Sequence, residues 1–322
     1  MEALKNYTAL IEQELAKDQF PQSPTELYDP LRYFLKLGGK RIRPVLTLLS
    51  SELFGSTAEK ALPQALAIEV FHNFTLIHDD IMDEAPTRRK MPTVHEKWNT
   101  NIAILSGDVL LIKAYQLLAQ AEADKLPEIL EVFNTTSVEV CEGQQMDMNF
   151  EDRMDVSISE YVEMIRLKTS VLLGGALEIG AIVAGASKED RKRIYDFGQY
   201  LGIAFQIQDD ILDLYADPDK FGKMVGGDVV ANKKTLLYLM AAGNANSEQQ
   251  EILKQLQNEE NIELKISRTR ELFDHLGAKE KCREAMLSYQ DKAMEALKGI
   301  NVPEDKKAGM ISLADFLLNR NW

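Results

Sequence analysis

Cysteine is almost absent from this 322-residue chain, with Cys141 and Cys282 the only two. Two cysteines cannot make a disulfide framework, no metal site can be built on thiolates, and a reducing compartment is the simpler expectation. No run of about 18 apolar residues stands out, so no membrane-spanning helix is expected. The opening MEALKNYTALIEQELAKDQF has acidic residues early and no basic stretch leading into an apolar one, so no signal peptide is expected and the protein reads as soluble and cytoplasmic. Positive charge is also short. Lys and Arg number 37 against 51 Asp and Glu, a net charge of −14, which excludes a broad nucleic-acid footprint. An anionic substrate is still allowed, provided that metal ions or a few local cations reverse the field where it sits.

Strand signals are scarce as well. Apolar residues recur at helical spacing in nearly every segment, as in Leu4, Tyr7, Leu10, Ile11 and Leu15, and strict alternation is rare. Breaks at Pro21 to Pro30, Gly38-Gly39, Pro63, Pro86 to Pro92, Pro127, Gly185, Asp217 to Asn232, Gly243 to Ser247 and Gly299 to Pro303 outline roughly a dozen helices. The expected class is all-α. The stretches ALAIEVFHNFTLIHDDIMD and VLLGGALEIGAIVAGA are apolar nearly all round, which places them at the centre of a large bundle. Length alone allows two domains, but no Pro/Gly/Ser linker divides the chain, so one domain over 1–322 is expected.

Within that apolar background, LIHDDIMD at 76–83 carries aspartates at 79, 80 and 83. Asp79 and Asp83 share a helical face, and such a like-charge pair costs roughly 0.2–0.5 kcal/mol even in an isolated helix. IHDDIMD returns as IQDDILD at 207–213, again with Asp209 and Asp213 four apart and Asp210 beside them. One such cluster has an ordinary reading as a solvated helix end. Two copies flanked by Leu76, Ile77, Ile81, Phe205, Ile207, Ile211 and Leu214 read as sites aimed into protected space. Carboxylates without thiolates select hard cations, and Mg2+ grips a diphosphate while completing its octahedron with water. The Ca2+ loop pattern is absent.

Basic residues occur where a diphosphate needs them, each with a structural alternative. GGKRIRP at 38–44 sets Lys40 and Arg43 behind two glycines, which equally marks a helix boundary. Arg88 and Arg89 follow Asp83 and are either its ion-pair partners or bidentate phosphate ligands. Lys168-Thr169 opens an apolar helix, where a lysine can also snorkel. Lys223 and Lys233 sit in FGKMVGGDVVANKKT, a candidate lid or a plain surface loop.

Taken together the chain resembles the trans-isoprenyl diphosphate synthases of the polyprenyl synthetase family. The matches are GGKRIRP at 38–44, HNFTLIHDDIMD at 72–83, RR and PTVH at 88–95, GDVLL at 107–111, EGQQMD at 142–147, LKTS at 167–170, FQIQDDILD at 205–213, and GK with KKT at 222–235. The resemblance implies an all-α isoprenoid synthase bundle, usually a homodimer, with the two aspartate motifs facing each other at the mouth of a central cavity. It implies Asp79, Asp83 and Asp209 as ligands of up to three Mg2+ ions, supported by Asp80, Asp210 and Asp213. Arg88, Lys168 and Lys233 match residues that bind the allylic diphosphate, with Gln206, Asp228 and Lys223 nearby. Lys40, Arg43, His72 and Arg89 match those that hold isopentenyl diphosphate; His72 taken alone also reads as a core histidine. The implied reaction ionises the allylic C–O bond, joins the isopentenyl double bond to the cation and loses a proton, with Thr169 and Gln206 orienting the cation.

Product length in this family follows the residues eight, five and four positions before the first aspartate, here Phe71, Phe74 and Thr75. Phe74 with a small Thr75 and no insertion in DDIMD resembles the geranylgeranyl-forming type, with farnesyl diphosphate as the nearest alternative. One departure stands out: Lys90 replaces the glycine that many relatives carry after the arginine pair. A longer-chain synthase remains an alternative. A class I terpene cyclase shares the fold and one aspartate motif, and a regulatory subunit of a heteromeric synthase is the non-enzymatic alternative. Both complete aspartate motifs and GGKRIRP argue for the chain-elongating enzyme.

Overall fold

The structure, a computed structural model, describes residues 2–17, 20–153, 155–216 and 225–318. It is all-α, as expected. The first helices are α1 (Glu2–Ala16), α2 (Thr25–Leu35), α3 (Ile42–Leu53) and α4 (Ala58–Met82). A two-residue hairpin, β1 (Thr87–Arg88) and β2 (Met91–Pro92), precedes α5 (Val94–Lys97), α6 (Thr100–Leu118) and α7 (Leu126–Asp152). Then come α8 (Ile158–Ile165), a π-helical turn (Arg166–Ser170), α9 (Val171–Ala184) and α10 (Lys188–Tyr215). The remaining helices are α11 (Gly227–Val230), α12 (Leu236–Asn244), α13 (Ser247–Gln257), α14 (Ile262–His275), α15 (Ala278–Lys298) and α16 (Glu304–Leu318).

Apolar stretches run longer than the sequence reading allowed. Two helical stretches, Thr100–Leu118 and Ile158–Ala184, are long and apolar enough to cross a membrane by length and composition. The second stretch is 78% buried within the protein and the first 39%. Helices packed on several sides in a large core carry apolar residues all round, so composition alone overlaps with that of a membrane span.

Residue contacts divide the chain into two units, neither of them a contiguous segment. The first comprises Met1–Asn134, Gly175–Lys192 and Asn301–Gly309. In it α4 packs between α3 and α6. The α4 side chains Ala61, Ala65, Ile68 and Phe71 are fully buried. The 175–184 part of α9 lies close against α3, because Gly180 has no side chain: a Cβ there would fall 2.2 Å from the Thr47 carbonyl oxygen. The Ser50 hydroxyl donates to the Leu177 carbonyl at 2.6 Å across the same contact.

The second unit comprises Thr135–Gly174, Arg193–Ile300 and Met310–Trp322. There α12 packs on α15 and α8, and α11 packs on α14. Capping explains why several of these helices start where they do. Ser157 and Glu160 form a reciprocal capping box at α8, Asn246 and Gln249 another at α13, and Asn261 caps α14. Residue α7 Gly143 lets the π-helical turn approach, since a Cβ there would lie 2.2 Å from the Lys168 amide nitrogen. A π-turn widens one helical step and re-aims the side chains on it, here Lys168 and Thr169.

Candidate active site

In the first unit, the aspartates of α4 divide by direction. Asp80 is 1% exposed, and its two carboxylate oxygens accept from Arg88 Nε at 2.8 and 2.9 Å, with Arg88 Nη2 2.7 Å from Oδ1. Burial raises the Asp80 carboxyl above its ordinary range despite Arg88. Asp79 keeps partial exposure, with Arg88 Nη2 3.6 Å away, and Asp83 caps the helix in the open. Asp80, expected in support of the metal ligands, fixes Arg88, and Asp79 and Asp83 are the accessible carboxylates of this motif.

A cationic cluster surrounds His72. Arg43 Nη1 donates to His72 Nε2 at 3.2 Å, and since arginine only donates, Nε2 is the unprotonated nitrogen. Burial, followed by the positive fields of Arg43, Arg88, Arg89 and Arg41, holds the His72 pKa well below its ordinary value, so the ring is neutral. Burial lowers Arg43 to about 10, and its Nε is buried without an acceptor. An unsatisfied buried donor beside clustered arginines fits an anion bringing its own oxygens. Gly39, at φ 157°, lies under Arg89: a Cβ there would be 3.0 Å from the guanidinium. Lys40 is exposed.

The sequence reading missed Arg41, which anchors this cluster. It caps α3 in the left-handed conformation, φ 48°, and its side chain is fully buried against Glu69 at 2.5 Å, Glu12 at 2.7 Å and the Leu35 carbonyl at 3.2 Å. Only its place between Lys40 and Arg43 could have flagged it.

The arginine pair sits on the hairpin, where Thr87 pairs with Pro92 and Arg88 with Met91. Arg89 and Lys90 are thus a two-residue turn with both φ values positive, 54° and 66°. This is the turn in which glycine is preferred, and a non-glycine residue in the left-handed region costs roughly 1–2 kcal/mol. Lys90 keeps the backbone path and carries the strain. Lys90→Gly is expected to raise stability by about 1 kcal/mol with activity retained, read as an increased urea midpoint.

In the second unit, α10 repeats the division seen in α4. Asp210 is 3% exposed and accepts from the Tyr161 hydroxyl at 2.5 Å, the Leu236 amide at 3.2 Å and Gln206 Nε2 at 3.4 Å. Burial pushes it up to about 7. Asp209 and Asp213 stay partly exposed. The Asp213 carboxylate accepts the Asp228 amide at 3.0 Å. Gln206 also meets Thr169, whose hydroxyl lies 3.5 Å from Gln206 Oε1. Lys168 Nζ is 2.6 Å from Asp147, the last residue of EGQQMD. Asp147 and Tyr161 carried no expectation, because their partners lie 21 and 49 residues along the chain. Lys233 is exposed, its amide bonded to the Asp228 carbonyl at 2.9 Å. Lys223 lies outside the described residues.

Below the first motif runs an aromatic series. Phe74 contacts His78, with ring centres 4.7 Å apart, and Phe71, at 5.7 Å. Phe71 meets Phe133 of α7 at 5.0 Å, and Phe133 meets Tyr115 of α6 at 5.2 Å. Thr75 turns its hydroxyl onto the His72 carbonyl at 2.8 Å. Phe71 and Phe133 are buried, whereas Phe74 is half-buried.

Among the described residues no three His, Cys, Asp or Glu side chains converge as a ready-made metal nest. An accessible carboxylate pair in each motif instead suits a hard cation that keeps water and phosphate oxygens in its remaining positions.

The polyprenyl synthetase family profile matches residues 24–273. A geranylgeranyl pyrophosphate synthase of Geoglobus acetivorans is 39% identical over 99% of both chains. The crystal structure of a geranylgeranyl pyrophosphate synthase superposes with a TM-score of 0.95 at 44% identity, covering 100% of both chains. The corresponding structure from Pyrococcus horikoshii gives 0.92 at 36% identity over 99% of this chain and 98% of that one. The chain belongs to the polyprenyl synthetase family of transferases and has its all-α isoprenoid synthase fold.

Proposed function

We propose that the protein condenses isopentenyl diphosphate with an allylic diphosphate to make a short all-trans prenyl diphosphate, with the C20 product favoured. The observation that carries this reading is the repeated division of two aspartate motifs, one buried carboxylate locked to its neighbours and two left accessible in each. Asp79 and Asp83 in the first motif, and Asp209 and Asp213 in the second, would each serve as Mg2+ ligands, and the ion when bound would neutralise diphosphate charge.

The chain's own groups support the remaining steps. Arg88, Lys168 and Lys233 bind the allylic diphosphate, so that the C–O electron pair leaves with it and an allylic cation forms. The hydroxyl of Thr169 and the carboxamide of Gln206 orient that cation. Arg43, Arg89 and Lys40, with neutral His72 as the acceptor that orders Arg43, hold isopentenyl diphosphate while its double bond attacks. The proton then lost goes to the released diphosphate, and the product is one C5 unit longer.

The half-buried Phe74, backed by Phe71 and Phe133, would end the growing chain. Phe74→Ala is expected to shift the product beyond C20 by at least one C5 unit, resolved by chromatography of the dephosphorylated alcohols; an unchanged distribution counts against Phe74 as the floor. The exposed Ile104, Leu105 and Ile112 of α6 give a surface suited to self-association, and a homodimer is part of this proposal, as is a cytoplasmic location. Light scattering on the purified protein reads the oligomeric state.

The activity itself is tested with purified protein, Mg2+, isopentenyl diphosphate and C5, C10 and C15 primers. Elongation to C20 supports the proposal. Cyclic hydrocarbon release without elongation identifies a terpene cyclase, and no turnover with any primer indicates a regulatory subunit.

A further inference from the structure

The backbone from 226 to 236 is stitched to the second aspartate motif at both ends. At its start, the Gly226 amide donates to the Asp213 carbonyl at 2.6 Å and the Asp228 amide to the Asp213 carboxylate at 3.0 Å. At its end, the Leu236 amide donates to Asp210 at 3.2 Å. Between these points lies Lys233, so the segment sets both the carboxylate directions of the motif and the position of a cation expected to meet the allylic diphosphate.

What holds the middle of this segment is a lysine from another helix. Lys265, on α14, is 6% exposed, and its ammonium donates to the Gln257 carbonyl at 3.1 Å and the Val230 carbonyl at 3.4 Å. Those carbonyls are the last of α13 and α11, where unpaired C=O groups concentrate partial negative charge. Gln257 also accepts from the Asn232 carboxamide at 3.1 Å, and Asn232 turns the chain at φ 53° into Lys233. Gly226, at φ 82°, rests against the neighbouring Ile266, with 2.9 Å from its would-be Cβ to that side chain. Burial alone lowers the lysine's pKa, while its hydrogen bonds go to carbonyls that favour the charged form.

We propose that Lys265 is a positioning residue for the prenyl transfer: by joining the C-terminal ends of α11 and α13 it holds the 226–236 segment, and through it Asp213 and Lys233, in the geometry that receives the allylic diphosphate. The inference rests on the proposed condensation activity. It assigns a role to a residue that touches no substrate and lies in none of the sequence motifs.

The test compares Lys265→Met, which keeps the stem and removes the charge, with Lys265→Arg, which keeps a cation. For Lys265→Met the KM for the allylic diphosphate and the half-saturating Mg2+ concentration are expected to rise about tenfold, with the KM for isopentenyl diphosphate unchanged. Lys265→Arg is expected to recover most of the difference. Independently of turnover, hydrogen exchange in the ligand-free protein is expected to accelerate at the amides of 226–236 in Lys265→Met, while amides of α4 and α6 exchange at the native rate. Equal rises in both KM values, or native exchange at 226–236, overturn the proposal. A native protein that elongates no primer defeats the activity reading instead, and the exchange measurement still decides whether Lys265 holds the segment.

Discussion

An Asp209→Ala protein is expected to elongate allylic diphosphates about 10²–10³-fold more slowly than the native chain and to stay folded, with stability changed by less than about 0.5 kcal/mol. Asp209 is partly exposed on α10, and its removal leaves the Tyr161, Leu236 and Gln206 bonds of the adjacent Asp210 in place. Asp79→Ala should behave alike, because Arg88 keeps both of its bonds to Asp80. The inward carboxylate is the control. Asp210→Ala strands the buried Tyr161 hydroxyl and the Leu236 amide, each costing about 1–3 kcal/mol, so it should lose stability as well as rate. Single-turnover rates at saturating Mg2+ alongside urea midpoints separate the two classes. A near-native rate in Asp209→Ala or Asp79→Ala would remove those residues from the metal site.

The largest effect on stability is expected at Glu69, on α4. Its side chain is almost fully buried and takes the Arg41 guanidinium at 2.5 Å and the Asn73 carboxamide at 3.1 Å. Glu69→Ala leaves Arg41 with its carbonyl partner and the half-exposed Glu12, and breaking such a buried pair costs about 3–5 kcal/mol. Against a typical total of about 5–15 kcal/mol this is a large share. Because Arg41 caps α3 two residues before Arg43, the variant should also weaken isopentenyl diphosphate binding. Denaturant unfolding reads the first effect, and a loss below about 1 kcal/mol would show that Glu12 alone suffices for Arg41.

Much of the site was legible in the chain because its rules are local. The four-residue spacing of Asp79 and Asp83, and of Asp209 and Asp213, places each pair on one helical face whatever surrounds it. The ordered motifs from Gly38 to Thr235 pointed to the family that the comparisons show. Lys90 is the instructive case: a departure from the glycine that many relatives carry, it occupies a left-handed turn position that the hairpin register imposes.

The sequence by itself determined the all-α class, the paired carboxylates and the family, because turn chemistry and helical spacing act within a few residues of one another, whereas its expected breaks at Pro30 and Pro63 fall inside α2 and α4. Only the tertiary structure decided which aspartate of each motif turns inward, since that depends on Arg88 across a hairpin and on Tyr161 and the Leu236 amide from other helices. It alone brought Phe133 behind Phe71, Asp147 to Lys168, and Lys265 to the ends of two helices. A buried charge or ring takes as its partner whatever group the fold brings within contact distance, and spacing along the chain carries no record of that.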